Sequence, residues 1–340
     1  MENKRVDVSI SIIRLISLIL IISCHILQGL KLEAAYWVNI GVQMFFFLSG
    51  FLYGLKDISD VREFYKKRLK RIMIPYLIIF LIMLFLEYKL KSKKYDINII
   101  LANLVGLQSF FGRIKTLTHT WFISYILICY AITPLLQKIE FKNITNFQFI
   151  KKMFLVCLFI SILSYFKVTY IIAPWICNYI IGYFYSRYYK KYEKKDIKFS
   201  VIFLTFTIVF LVFRVGVQYK LFNINWPKAI IKNTTLIKQW SHVLLGCSIC
   251  IWLYKALSKI KIKYNFIIRF FDKISFHVYL VHQIFILNYF SLLELSKNLV
   301  LNIVIIFIAS IISGVSLYFM QKLVDKLLEI IKLRRRKCVI

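Results

Sequence analysis

Residues 9–30 read SISIIRLISLILIISCHILQGL. The run is almost wholly apolar, and about 20 such residues suffice to cross a hydrocarbon core. Arg14 and His25 interrupt it. An ionisable group in a membrane span costs roughly 3 kcal/mol or more unless it finds a partner or a wet cavity. Two in one span point to a function rather than to chance. At about 100° per residue, the steps from position 14 to position 25 return the helix to within about 20° of its starting direction. Both side chains therefore share one stripe, about 16 Å apart along the axis. No small-residue cleavage site follows the run, so it is expected to remain as a span rather than to be removed as a signal.

The rest of the chain extends this pattern. Its 340 residues are 60% hydrophobic, with a mean hydropathy of +0.71, well beyond the apolar content of a soluble domain. Apolar stretches of spanning length fall at about 9–29, 36–55, 72–88, 119–138, 152–168, 171–187, 199–218, 237–257, 274–295 and 299–321. The expected architecture is an all-α, polytopic membrane bundle of about ten transmembrane helices in a single domain, 1–340. A shorter stretch, 97–112, carries Asn103, Gly106 and Gln108 and reads as re-entrant or interfacial. Four prolines and ten glycines leave little room for linkers, and no internal repeat is evident.

A net charge of +32 would suggest nucleic acid in a soluble chain. Here the positive-inside rule explains it better, and no nucleic-acid partner is expected. With both termini cytoplasmic, the inner ends and loops hold 32 of the 47 basic residues and the outer loops 13. Arg14 and Arg214 lie within spans. The outlier is the outer loop 89–118, which holds six basic residues. The stretch Lys56 to Arg71 mixes cations with Phe64, Tyr65 and Leu69, as a helix on anionic lipid would. The tail at 332–337 reads as a second lipid-surface anchor.

The seven cysteines lie almost entirely within spans, so no extracellular disulfide framework is expected. Cys247 and Cys250 have a C-x-x-C spacing that suits helix packing. No acidic cluster exists to hold a metal, and Walker, G-x-S-x-G and H-E-x-x-H motifs are absent. Trp37, Trp121, Trp175, Trp226 and Trp240 fall on the outer side, as an aromatic belt or as the lining of a vestibule for sugar rings.

Among five histidines, His25 stands out because it shares a face with Arg14. An imidazole titrates near neutrality and can take a proton from a hydroxyl and return it. Arg14 has almost no acid available within the spans, so an anionic ligand explains it best. Arg214 is a second such cation, with snorkelling to the outer interface as the alternative. His242 and His277 read as interhelical contacts.

These residues resemble the acyltransferase-3 family of integral membrane acyltransferases. The likeness rests on Arg14 and His25 in the first span and on GVQMFFFLSGF at 41–51. It continues through Arg68, Arg71 and Pro75, HTWFISY at 119–125, Tyr130 and Pro134, Gly182–Tyr183, and SFHVYLVH at 275–282. The family's order is kept over nearly the whole chain. The resemblance implies about ten spans and transfer of an acyl group, usually acetyl, from cytoplasmic acyl-CoA to a sugar hydroxyl of a cell-envelope glycan. It implies a catalytic role for His25 with Arg14 beside it. Two departures stand out. Ser124 and Tyr125 occupy a region where many members carry an acid, so no carboxylate partner is assigned to His25. The extracytoplasmic domain appended in many members is not expected here, so the chain looks more like the short form, expected in a bacterial cell membrane and acting on surface polysaccharide or its lipid-linked precursor.

The expected donor is acetyl-CoA or another acyl-CoA, a substrate rather than a bound cofactor. Its phosphates would meet Arg68 and Arg71, and its pantetheine arm would pass Arg14. His25 would act as general base, or would itself carry the acyl group in a two-step route. His119, Trp121, Ser49, Tyr279, His282 and Arg214 are the expected acceptor-side residues, with helix packing as the plainer role for Ser49 and interhelical hydrogen bonding as the equal alternative for Tyr279 and His282. A transporter or flippase of a lipid-linked sugar is the alternative. A polysaccharide polymerase would need a larger outer loop.

Overall fold

A computed structural model describes residues 8–139, 174–191, 197–219 and 234–337, with scattered positions between 148 and 159. The expected span at 152–168 falls largely outside them, as does Trp226. Among the described residues all regular structure is helical. Six helices are long and apolar enough to cross a membrane: Val8–Gly29, Ala35–Gly54, Val61–Lys91, Lys115–Gln137, Trp240–Ser258 and Leu299–Ile331.

Hydropathy alone suggests about ten, and the remaining described segments take several forms. The stretch 171–187 becomes a helix, Pro174–Lys191, diluted by Asn178, tyrosines and a basic end. The stretch 199–218 becomes a 23-residue helix, Ile197–Tyr219, of spanning length by itself. The stretch 274–295 is not one helix. It is α-helical over Phe266–Val281 and continues as 3₁₀ turns at His282–Phe285 and Asn288–Phe290. The segment 97–112 forms two short helices, Ile97–Leu104 and Gln108–Phe111, too short to span.

In chain order the helices are α1 (Val8–Gly29), α2 (Ala35–Val38), α3 (Gly41–Gly54), α4 (Val61–Lys91), α5 (Ile97–Leu104), α6 (Gln108–Phe111) and α7 (Trp121–Gln137). They are followed by α8 (Pro174–Lys191), α9 (Ile197–Tyr219), α10 (Thr234–Ser258), α11 (Phe266–Val281) and α12 (Leu299–Lys337). The chain forms two compact units. The first comprises Met1–Ile21, Trp37–Ser59 and Ile128–Arg269; the second comprises Ile22–Tyr36, Asp60–Leu127 and Phe270–Ile340.

In the first unit α3 packs on α8 at backbone range. Gly50 and Gly54 lie one turn apart on α3, a small-x-x-x-small pair. A Cβ on Gly50 would stand 1.9 Å from the Tyr179 carbonyl oxygen, and one on Gly54 2.2 Å from that of Tyr183. Gly182 answers from α8, where a Cβ would meet the Phe47 carbonyl at 2.2 Å. Hydrogen at these positions lets the two helix backbones touch, which maximises dispersion contact in a setting without a hydrophobic driving force.

In the second unit α4 and α12 are the long elements. At about 1.5 Å per residue they measure roughly 46 and 58 Å, against about 30 Å of hydrocarbon. Their basic ends extend past the apolar layer and are joined there by Lys70–Asp325 at 3.1 Å. The start of α4 is fixed by Asp60, whose carboxylate accepts from the Glu63 backbone N–H at 2.9 Å. Val300, Val304, Ile308 and Ile312 form an exposed i, i+4 stripe on α12, which suits contact with acyl chains. Gly314 brings α12 against α11, since a Cβ there would lie 2.9 Å from the Val278 backbone nitrogen.

Candidate active site

The second unit gathers three imidazoles from distant parts of the chain. His25 comes from the last turns of α1, His119 from the 3₁₀ turn Lys115–Thr120, and His282 from the 3₁₀ turn that follows α11. Ring centroids are 5.2 Å apart for His25 and His282, 4.9 Å for His119 and His282, and 6.3 Å for His25 and His119. His119 and His282 are buried and His25 is half-buried. The break in the helix at Val281 is what turns His282 toward this group.

Hydrogen bonds set the tautomers. The His119 backbone N–H donates to Gln283 Oε1 at 2.8 Å, and the Thr118 hydroxyl donates to the same oxygen at 3.0 Å. That oxygen is therefore an acceptor, and His119 Nδ1, 2.6 Å away, carries hydrogen. His119 Nε2 faces the Leu280 carbonyl at 3.2 Å, so protonation of that nitrogen too would be satisfied. His282 Nδ1 lies 2.6 Å from the Tyr279 carbonyl and carries hydrogen. Its Nε2 is then a buried lone pair with no hydrogen-bond partner among the described residues. His25 Nδ1 meets Gln28 Oε1 at 2.8 Å and carries hydrogen, which leaves the lone pair on its Nε2. The cluster thus offers two lone-pair nitrogens, on His25 and His282, and one ring, His119, bonded at both nitrogens.

The supporting groups are polar and exact in register. Tyr279 Oη donates to the His119 carbonyl at 2.8 Å, and its ring meets His119 edge-on at 5.3 Å. Arg113 donates to the Thr118 carbonyl at 2.8 Å. Further along the same turn, Glu87 is wholly buried and accepts from the Thr116 backbone N–H at 3.0 Å, from the Thr116 hydroxyl at 2.5 Å and from Tyr95 Oη. Burial and the Glu87 carboxylate push the Tyr95 phenol above its ordinary range.

The structure brings His25, His119, Tyr279 and His282 together. Trp121 begins α7 two residues beyond His119 and meets Tyr125 edge-on at 5.9 Å. Arg14 is half-buried, three turns before His25 on α1. Arg68 and Arg71 stand in the basic first half of α4, with Arg68 over the Phe64 ring at 6.0 Å. Arg14, Ser49 and Arg214 belong to the first unit, apart from the unit that holds the three histidines. Ser49 adjoins the α3–α8 glycine contact. Arg214 is buried and donates to His242 Nδ1 at 3.0 Å, so a hydrogen bond between α9 and α10 replaces the snorkelling alternative. His277 pairs with Gln321 Oε1 at 2.6 Å, the interhelical contact expected of it.

Sequence reasoning missed Gln28, Gln283 and Glu87 as supports. Gln28 and Gln283 could have been flagged as amides next to a candidate histidine in apolar surroundings. Glu87 gave only the signal of a lone acid near a span end. No group of His, Cys, Asp and Glu among the described residues could hold a metal ion.

An acyltransferase domain family model matches residues 7–319, and the chain belongs to that acyltransferase-3 family. With its apolar helices, it is a multi-pass membrane acyltransferase. No curated protein and no solved structure shows significant similarity to it.

Proposed function

We propose that the chain moves an acyl group, acetyl in the first instance, from cytoplasmic acyl-CoA to a hydroxyl of a cell-surface polysaccharide or its lipid-linked precursor. The observation that supports this most is the unpartnered His282 Nε2 beside His25, inside a family of acyl-transferring proteins. An acyl transfer needs a base that accepts the hydroxyl proton as oxygen attacks the thioester carbonyl. The C–S bond then breaks, the acceptor keeps the acyl group as an ester, and the proton leaves with the thiolate as free CoA. His25 is the half-exposed ring and takes the role of base; the unpartnered Nε2 of His282 provides a neighbouring position for the proton, and His119 holds the two in place. Arg68 and Arg71 receive donor phosphates, and Arg14 is the cation assigned to the donor on the helix that carries His25. Family membership lends nothing to the transporter alternative.

The test is transfer of labelled acetyl from acetyl-CoA into membrane glycan by the purified chain in liposomes. Activity should fall about 10²-fold or more in His25→Gln. Full activity in that variant would overturn the assignment of the base, and no acetyl transfer by the unaltered chain would overturn the donor or the acceptor.

A further inference from the structure

The loop 89–118 breaks the charge bias of the rest of the chain, and the structure shows where its cations go. Lys89, Lys91, Lys93, Lys94, Arg113 and Lys115 are all exposed, and among the described residues none of them makes an ion pair. They do not splay apart. Lys91, at the end of α4, and Lys115, at the start of the His119 turn, converge on the single ring of Tyr289, with Nζ 5.7 and 4.7 Å from its centroid. Lys93 lies over Tyr95 at 5.9 Å. Tyr95 Oη accepts from the Lys115 backbone N–H at 2.8 Å, and Asn288, beside Tyr289, donates to the Lys115 carbonyl at 2.8 Å. The acids nearby do not neutralise the group. Glu87 is buried in its own bonds, and Asp96 caps α5 through the Asn98 N–H at 2.7 Å.

We infer that this face binds the acceptor, and that the acceptor is an anionic glycan, one bearing carboxylate or phosphodiester groups. The inference rests on the transferase reading and adds its substrate class. Lysines that merely reached lipid headgroups would each take a separate path to the interface. Here cations from separate segments are gathered over two half-buried tyrosine rings, which hold them together as one positive patch. That matches a sugar ring carrying an acid. The face is also continuous with the chemistry. Lys115 and His119 lie on one 3₁₀ turn, and Arg113 holds the Thr118 carbonyl next to His119. An acid-bearing chain lying on the lysines would present its hydroxyls toward the histidines. The opposite, equally basic start of α4 remains for the donor.

The test uses the full chain in nanodiscs of phosphatidylcholine. The probe is a fluorescein-labelled galacturonate hexamer, compared with its fully methyl-esterified, uncharged form. Anisotropy should show salt-dependent binding of the acid form and none of the ester. The triple variant Lys91→Gln/Lys93→Gln/Lys115→Gln should weaken binding at least about tenfold while keeping the unfolding temperature of the unaltered chain. Equal binding of the ester, or no change in the variant, would overturn the inference. Discs containing phosphatidylglycerol separate the sources. Persistent hexamer binding supports the glycan, and complete displacement assigns the face to lipid headgroups and overturns it. Acetyl-CoA turnover is measured in parallel. A chain that binds the hexamer but never consumes acetyl-CoA would sink the transferase reading alone.

Discussion

Replacing Glu87 by alanine should disturb the site without touching a histidine. Its carboxylate, with no exposed surface, gathers the Thr116 N–H, the Thr116 hydroxyl and Tyr95 Oη. Thr116 is itself fully buried, so its two donors cannot turn to water when the acid is removed. Each orphaned buried donor costs about 1–3 kcal/mol, and Tyr95, half-buried, recovers part of its loss by solvation. The sum for Glu87→Ala is about 3–5 kcal/mol. Glu87→Gln keeps one acceptor oxygen but turns an N–H toward Tyr95, and should cost about 2 kcal/mol. The free buried cysteines, Cys24, Cys129, Cys177, Cys247 and Cys250, allow unfolding to be followed with a thiol-reactive dye. A double-mutant cycle with Tyr95→Phe should show a coupling of at least about 1 kcal/mol. Amide exchange should rise across Lys115–Thr120, and transfer activity should fall because His119 loses its anchor. A Glu87→Ala chain within about 0.5 kcal/mol of the unaltered one, or a strictly additive cycle, would refute this account.

Further expectations concern single positions. His282→Gln should lower acetyl transfer about 10²-fold at an unchanged unfolding temperature; unaltered kinetics would remove His282 from the proton path. Gln283→Leu strands the Thr118 hydroxyl and two His119 donors, and should destabilise by about 2–4 kcal/mol in the same dye assay. Gly50→Ala places a carbon 1.9 Å from the Tyr179 carbonyl and should cost about 2–3 kcal/mol or more; a neutral result would show that α3 and α8 are farther apart than described.

The helical, membrane-spanning character of this protein is legible in its apolar runs, because a backbone in hydrocarbon must satisfy its own hydrogen bonds and run length alone decides that. Family motifs likewise singled out His25, His119, Tyr279 and His282 before any coordinates. Composition could not say that the helix after Phe266 would stop at Val281, since Val281 and His282 are as compatible with a continued helix as with a 3₁₀ turn. Tertiary packing decided it, through the close approach of Gly314 to Val278 and the bonds from Gln283 to Thr118 and His119. Nor could spacing reveal that Glu87 anchors a turn nearly thirty residues away, or that lysines from α4 and from that turn share one tyrosine ring. Periodicity records which face of one helix is apolar. Which polar groups meet across helices depends on relative rotation and depth, and these exist only once the helices pack.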